Sequence, residues 1–503
     1  MAASVRPIYA IFALVLLQIG EFSAKLPKIK VRQDGHFVDD TGRVRIFHGF
    51  NAVNKAFPWY PQHMSNRSLV KHYKEWGFNA VRLGTMWSGV EPQQGKYNET
   101  YLQVIRDQLS NLADNGLYAF LDMHQDVLSK RFGTYDGAPS WLVDLLPKAN
   151  NPYPWPWNST KPFYGGNWAK QYLTEDCGVA FQGLYDNVNH SQDMLIAFWK
   201  KVASTFKDVT SVLGYELINE PWAGNVWKDP FLFLPGKAGS QNLLPMYHNI
   251  ARAIREIDND TIIMYEPVTW GIWFNGQFGT GFDTVPGGPE YRDRSALSYH
   301  LYCWIKSGDS EPLSFLDRVV CDDILAADVL SNARKEFTRT GGGGFLTEFG
   351  ECDPDGRKNS SNTILCETAL KLADKNLASW TYWDTDFFDG NGNIQWNNVK
   401  PFIRAFPRAI SGTPSRLSWE PDTHSMEFSY LLDPKISAPT EIFVPPLYFG
   451  EGMVVSVSDS VVYSFDKDNH VLLVRPKDSV SKPVDVKIYL TPKYSVSRKS
   501  LTY

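Results

Sequence analysis

The chain has 503 residues, 43% hydrophobic and 14% aromatic, enough to bury a large core and more than one domain, which excludes extended disorder. Its formal charge of -5, with no long run of Lys or Arg, excludes the electrostatic footprint of a nucleic-acid binder.

Residues 1–24 carry an early Arg6, an apolar run from Ile8 to Leu17 and the small pair Ser23 and Ala24. This is the layout of a signal peptide, so a mature chain is expected from about Lys25, secreted or held in an endomembrane lumen such as a lysosomal or digestive one. No later segment offers about 18 consecutive apolar residues, so no membrane span is expected. Asn-x-Ser/Thr triplets at Asn66, Asn98, Asn158, Asn189, Asn259 and Asn359 are expected to carry N-glycans on that route. Five cysteines without a CxxC pair allow two disulfides and one thiol, and pairing between sequence neighbours is expected, Cys303 with Cys321 and Cys352 with Cys366.

From residue 40 to 408, β-branched or aromatic runs alternate with amphipathic stretches. The runs are Val44–Asn51, Phe78–Gly84, Leu117–His124, Val212–Asn219, Thr261–Glu266, Ala296–Tyr302, Gly344–Glu348 and Ala378–Trp383, with helices expected between them, as at Tyr97–Asn115 and Ser191–Phe206. Eight strand-helix units predict an α/β fold, a closed (β/α)8 TIM barrel over residues 25–408. An open doubly wound sheet would bring a Gly-rich phosphate turn after its first strand, and Gly49-Phe50-Asn51 offers none. Gly341 to Gly344 precedes a strand instead of opening a helix, so it reads as a flexible turn. After Arg408 the helical period stops, and runs such as Met453–Val457, Val461–Phe465, His470–Val474 and Val484–Tyr489 predict an antiparallel β-sandwich over residues 412–503. The interval from Gln125 to His190 is far longer than a normal strand-to-helix loop and is expected to shape a site.

In a barrel enzyme the reacting groups sit at the C-terminal ends of strands. Here those ends read Arg82, Asp122-Met123-His124-Gln125-Asp126, Asn219-Glu220-Pro221, His300-Leu301-Tyr302, Thr347-Glu348-Phe349-Gly350 and Trp383. Carboxylates ending the fourth and seventh strands converge across the mouth, as glycosidic cleavage by displacement requires. A lone strand-end Glu is more often a surface or cap residue, but two in these contexts point to Glu220 as acid/base and Glu348 as nucleophile of a retaining glycosidase. Arg82 can keep Glu348 ionised, Tyr302 can orient it, and His300 can support Glu220. Asn219 can bind the sugar 2-hydroxyl and Trp383 offers a flat wall for a sugar ring. His124, Asp122, Asp126 and His300 are of metal-ligating types but lack tight ligand spacing, so neither metal nor cofactor is expected. No Gly-x-Ser-x-Gly elbow supports a serine hydrolase.

Asn219-Glu220-Pro221, His300-x-Tyr302 and Thr347-Glu348-Phe349-Gly350 resemble glycoside hydrolase family 5, the cellulase-like family of clan A. Within it, Asp122-Met123-His124-Gln125-Asp126-Val127, Asp136 to Trp141 and the appended β domain look like the endoglycoceramidase group. The resemblance implies hydrolysis of the β-glucosyl bond between the glycan and ceramide of a glycosphingolipid, with sugar contacts from Lys55, Asp122, His124, Asp126 and Trp168. A different family 5 activity, endoglucanase, glucosylceramidase-like or sterol-glucosidase-like, is the first alternative, and a non-catalytic glycolipid-binding barrel the second. Two apolar loops, Asn151–Trp157 and Pro230–Pro235, either line a ceramide rim that touches a membrane surface or simply pack on the barrel.

Overall fold

The computed structural model describes residues 25–133, 135, 137–158, 165–271, 279–303, 319–350, 361–384 and 386–493. The expected signal peptide at 1–24, Cys352 and the Asn359 triplet lie outside the described residues.

The strands, in chain order, are β1 Ile29–Val31, β2 Phe37–Asp39, β3 Val44–Arg45, β4 His48–Ala52, β5 Ala80–Gly84, β6 Tyr118–Asp122, β7 Val212–Glu216, β8 Ile262–Tyr265, β9 Ser295–Leu301, β10 Gly343–Phe349, β11 Ser379–Tyr382, β12 Phe406–Ile410, β13 Gly412–Glu420, β14 Ser425–Leu432, β15 Thr440–Phe443, β16 Met453–Val457, β17 Val461–Asp466, β18 Val471–Pro476 and β19 Val484–Pro492. Strands β4 to β11 are parallel and close into the expected eight-stranded barrel. The helix Glu99–Asp114 starts where Asn98 accepts a side-chain hydrogen bond from the Tyr101 N–H, a cap worth about 1 kcal/mol. The expected helix Ser191–Phe206 is found with those bounds and buries Leu195, Phe198, Trp199 and Val202 at helical spacing.

The expected first strand is in fact two. Val44–Arg45 pairs antiparallel with β12, while His48–Ala52 enters the barrel. The Asn79 side chain covers the break, accepting from the His48 N–H and donating to the Ile46 carbonyl. Likewise the Gly-rich turn is confined to Gly341 and Gly342, whose φ values are 88° and 87°, because Gly343 and Gly344 already belong to β10.

Behind the barrel lie two antiparallel sheets, β1-β2-β3-β12-β15-β18-β17 and β13-β14-β19-β16, which share one apolar core. The larger sheet therefore takes strands from the start of the chain as well as from its C-terminal segment. The β1–β2 hairpin plugs the barrel floor, where Phe37 packs edge-on against Phe47 and Phe345. With the floor filled, only the strand C-termini are left to open on a site.

Side chains alternate along each strand, and the inward set changes character with height. Near the floor it is Ala80, Phe120, Met264 and Phe345. Two residues further up, the same faces present Arg82, Asp122 and Glu266. On β10 a register shift between Leu346 and Glu348 aims Glu348 at the mouth as well.

Candidate active site

Arg82 is fully buried and organises the mouth of the barrel. Its guanidinium donates to Glu216 at 2.5 Å, to Glu348, to Asn219 Oδ1 at 2.8 Å, to Asn51 Oδ1 at 3.2 Å and to Glu266 at 3.2 Å. Asp122 Oδ1 lies 3.3 Å from Nη2. One cation shared by four carboxylates cannot neutralise them all. Burial therefore pushes Glu216 up to about 7, against the pull of Arg82 and aided by the charges of Asp122 and Glu266.

Glu220 leaves β7 through Leu217-Ile218-Asn219 and sits at φ 38°, a left-handed conformation unusual outside glycine. The turn is held from both sides. Its N–H donates to Glu266 Oε2 at 3.1 Å, and its carbonyl accepts from Gln125 Nε2 at 3.0 Å and from the Tyr172 hydroxyl at 3.3 Å. The Glu220 carboxylate meets His300 Nδ1 at 2.9 Å. Burial raises its pKa above the ordinary carboxylate value, and Glu348 and Glu266 push the same way against the His300 contact.

Glu348 is tuned in the opposite direction. Burial would raise its pKa, but the charges of His300, Arg82 and His124 and the hydrogen bond from Tyr302, at 2.6 Å, outweigh that and lower it. His300 also lies 3.6 Å from Glu348 and, through Nε2, 3.4 Å from Glu266. Burial works against its charge, yet the surrounding carboxylates raise its pKa well above the ordinary histidine value. One oxygen of Glu220, one of Glu348 and one nitrogen of His300 lie within 4.8 Å of one another. Carboxylates face this ring at both nitrogens and favour its protonated form. A carboxyl pair this close, one shifted towards its protonated form and one towards its ionised form, is suited to attack at an acetal carbon and protonation of its leaving oxygen with retention of configuration.

A cavity of about 890 Å³ opens over the pair. Part of its lining is polar and aromatic: Lys55, His124, Asp126, Tyr135, Trp168 and Trp383. Lys55 forms an ion pair with Asp126 and lies 4.4 Å from the centre of the Trp383 ring and 4.8 Å from that of Tyr135. His124 stacks on Trp383 at 5.3 Å. The expected sugar-facing residues Lys55, His124, Asp126, Trp168 and Trp383 are thus brought together. Asp122 is a correction to that set: it is fully buried beneath His124, to which it is bonded at 2.7 Å, and reaches the cavity only through that ring. Asn219 does line the cavity, with its amide already donating to the Gln125 carbonyl at 2.9 Å.

The rest of the lining is apolar: Leu173, Trp222, Phe233 and Trp270. It continues outward onto both apolar loops. Phe233, 40% exposed, is followed by Leu234 at 55% and preceded by Phe231 at 66%. On the other loop Trp155 packs against Trp227 at 4.4 Å, and the Trp227 indole donates to the Leu173 carbonyl.

The family described as Cellulase (glycosyl hydrolase family 5) matches residues 38–389, and the glycoside hydrolase family 5 C-terminal domain matches residues 404–488. The chain belongs to glycosyl hydrolase family 5. It is 33% identical to an endoglycoceramidase of Cyanea nozakii, over 92% of this chain and 90% of that one. It is 35% identical to an endoglycoceramidase of Hydra vulgaris, over 78% and 75% of the two chains. The solved structure of endo-glycoceramidase II from Rhodococcus sp. in complex with ganglioside GM3 superposes with a TM-score of 0.73 at 25% identity, covering 91% of this chain and 99% of that one. This chain is accordingly a glycosidase.

Several residues of this family 5 site are not apparent from motifs. Glu216 and Glu266 are buried acids at the ends of otherwise apolar strands, and Gln125 ties the loop after β6 to both Asn219 and Glu220. A carboxylate two residues beyond an inward apolar side chain, as Glu266 is beyond Met264, is the signal that points to them. Of the expected disulfides, Cys303–Cys321 is present, Cys366 is disulfide-bonded, and Cys177 is a buried thiol.

Proposed function

We propose that the chain is a retaining endo-β-glycosidase that hydrolyses the β-glucosyl bond between the oligosaccharide and ceramide of glycosphingolipids, releasing both parts intact. The observation that carries this reading is the oppositely tuned Glu220–Glu348 pair at the junction of a polar-aromatic lining and an apolar lining that runs out to the surface. The polar-aromatic part suits sugar hydroxyls and ring faces, and the apolar part suits acyl chains. The endoglycoceramidase relatives support the same substrate class.

In the first step Glu348 attacks the anomeric carbon as Glu220 gives its proton to the glycosidic oxygen, so ceramide leaves as an alcohol and the glycan is held as an ester. Once Glu348 is esterified its negative charge is gone, and Glu220, now ionised beside His300, takes a proton from water. That water displaces Glu348, returning both carboxyls to their starting states. His300, Tyr302 and Arg82 hold the two carboxyls, Asn219 addresses the sugar 2-hydroxyl, and Lys55, His124, Asp126, Trp168 and Trp383 bind the glycan.

The exposed Phe231, Phe233, Leu234, Trp155 and Trp227 form a rim that touches a lipid surface transiently while the ceramide is drawn in. A secretory route fits this setting. Its supports are the leader-like residues 1–24, a disulfide, and exposed Asn66, Asn158, Asn189 and Asn259. Asn98, which is partly exposed, keeps its Oδ1 for the helix cap and leaves its Nδ2 for a glycan.

Incubation with lactosylceramide and with cellulose, followed by mass analysis, tests the reading. Intact lactose and ceramide are expected. Release of free galactose, or cleavage of cellulose with lactosylceramide untouched, would refute it.

A further inference from the structure

Resting on this hydrolytic reading, we propose that Glu266, at the end of β8, is the positioning residue that unites the two carboxyl roles by contacting both the His300 ring and the backbone of Glu220. It is 3% exposed and does not line the cavity, so it acts through its neighbours and not on the substrate.

Each of its oxygens has a separate task. Oε2 accepts the Glu220 N–H at 3.1 Å, which holds a residue at φ 38° in the turn that aims its carboxyl at the cavity. Oε1 lies 3.4 Å from His300 Nε2 and accepts from Arg82 Nη2 at 3.2 Å. His300 in turn reaches Glu220 at 2.9 Å and Glu348 at 3.6 Å through Nδ1. The imidazole is thus a bridge whose far end is tied to Glu266. Its near end faces the two carboxyls that must differ in protonation.

The charged and titratable groups around this bridge include Lys55 after β4, Arg82 on β5, Asp122 on β6 and His124 after it, Glu216 on β7 and Glu220 after it, Tyr247, whose hydroxyl donates to the Glu266 carbonyl, His300 on β9 and Tyr302 after it, and Glu348 on β10. Against the cost of burial, the charge of Glu266 leads the interactions that keep His300 protonated, and the charge of His300 leads those that keep Glu348 ionised. Among the described residues Glu216 contacts Arg82 and not His300 or the Glu220 backbone, so of the described carboxylates behind the cavity Glu266 is the one that reaches both.

The test compares kcat/KM against pH for the wild type, Glu266→Gln, Glu266→Asp, His300→Gln and the Glu266→Gln/His300→Gln double variant. Lactosylceramide and an aryl β-lactoside are the substrates. In Glu266→Gln the neutral amide no longer holds His300 charged, Glu348 loses the imidazolium, and its carboxyl ionises only at higher pH. The acid limb is expected to move up by about one pH unit on both substrates. Glu266→Asp keeps the charge, so its acid limb stays at the wild-type position while kcat falls. The double variant is expected to be scarcely worse than His300→Gln. An unmoved limb in Glu266→Gln, or losses that multiply in the double variant, would overturn the proposal. Should Glu266→Gln fail to fold, a limb displaced in Glu266→Asp, or unmoved in His300→Gln, overturns it equally. A wild type that cleaves the aryl lactoside but not lactosylceramide refutes the ceramide reading and leaves this one standing.

Discussion

Tyr302→Phe tests how the nucleophile is held, at little risk to the fold, because it deletes one oxygen from a partly exposed side chain. The Tyr302 hydroxyl donates to Glu348 Oε2 at 2.6 Å, a bond to an ionised acceptor. Such a bond contributes roughly 1.5–3 kcal/mol. Because it favours the ionised carboxyl, its loss raises the Glu348 pKa by about 1–2 units. Arg82 and His300 still contact Glu348, which places the expected shift near the lower end. The acid limb of kcat/KM therefore moves to higher pH. Hydrolysis of the glycosyl-enzyme suffers as well, since Tyr302 stabilises the carboxylate as it departs, and about 1.4 kcal/mol there slows the step tenfold. With a dinitrophenyl β-lactoside, whose departure needs little protonation, the variant should show a stopped-flow burst and an intact mass increased by one lactosyl unit. An unshifted acid limb together with no burst, in a variant melting like the wild type, would refute the argument.

Glu220→Ala should turn over an activated aryl lactoside slowly and be rescued by azide as the β-glycosyl azide; an α-product or no rescue assigns the acid/base role elsewhere. Phe233→Ser, at a ring already 60% covered, should lose about 1 kcal/mol of ceramide burial and raise KM for lactosylceramide about fivefold, with KM for an aryl lactoside unmoved; equal effects on both substrates count against the apolar rim. Glu216, pushed up to about 7 from 4.5, contributes stability that is fully present below about pH 4.5 and lost as pH rises through 7. Thermal melting of the wild type between pH 5 and 8 should therefore fall more steeply with pH than that of Glu216→Gln, and identical slopes would exclude this titration.

Local chemistry was legible wherever one residue type at one place suffices. Asn219-Glu220-Pro221 and Thr347-Glu348-Phe349-Gly350 stood out because two acids in these contexts end the fourth and seventh strands, and the eight runs of the barrel followed from β-branched or aromatic runs alternating with amphipathic stretches. The break between β3 and β4 was not legible, because Val44 to Asn51 is one continuous run and only its two different partners divide it. The resemblance implies a sugar contact for Asp122 together with His124 and Asp126, but Asp122 is still within β6 and points at Arg82 beneath the cavity, while the other two lie beyond the strand's end. Past that point the loop sets the direction of each side chain.

The sequence by itself determined the strand-helix alternation, the inward and outward faces and the two carboxyls, because these depend on periodicity and residue type within a short window. Only the tertiary structure shows what tunes the two carboxyls in opposite directions, because that depends on charges from β5, β7, β8, β9 and β10 meeting around Arg82 and His300. It also decided that Trp155 packs on Trp227, about seventy positions along the chain, and Phe233 on Trp222 and Trp270 in the cavity wall: burial energy acts between surfaces in contact, whatever the chain distance between them.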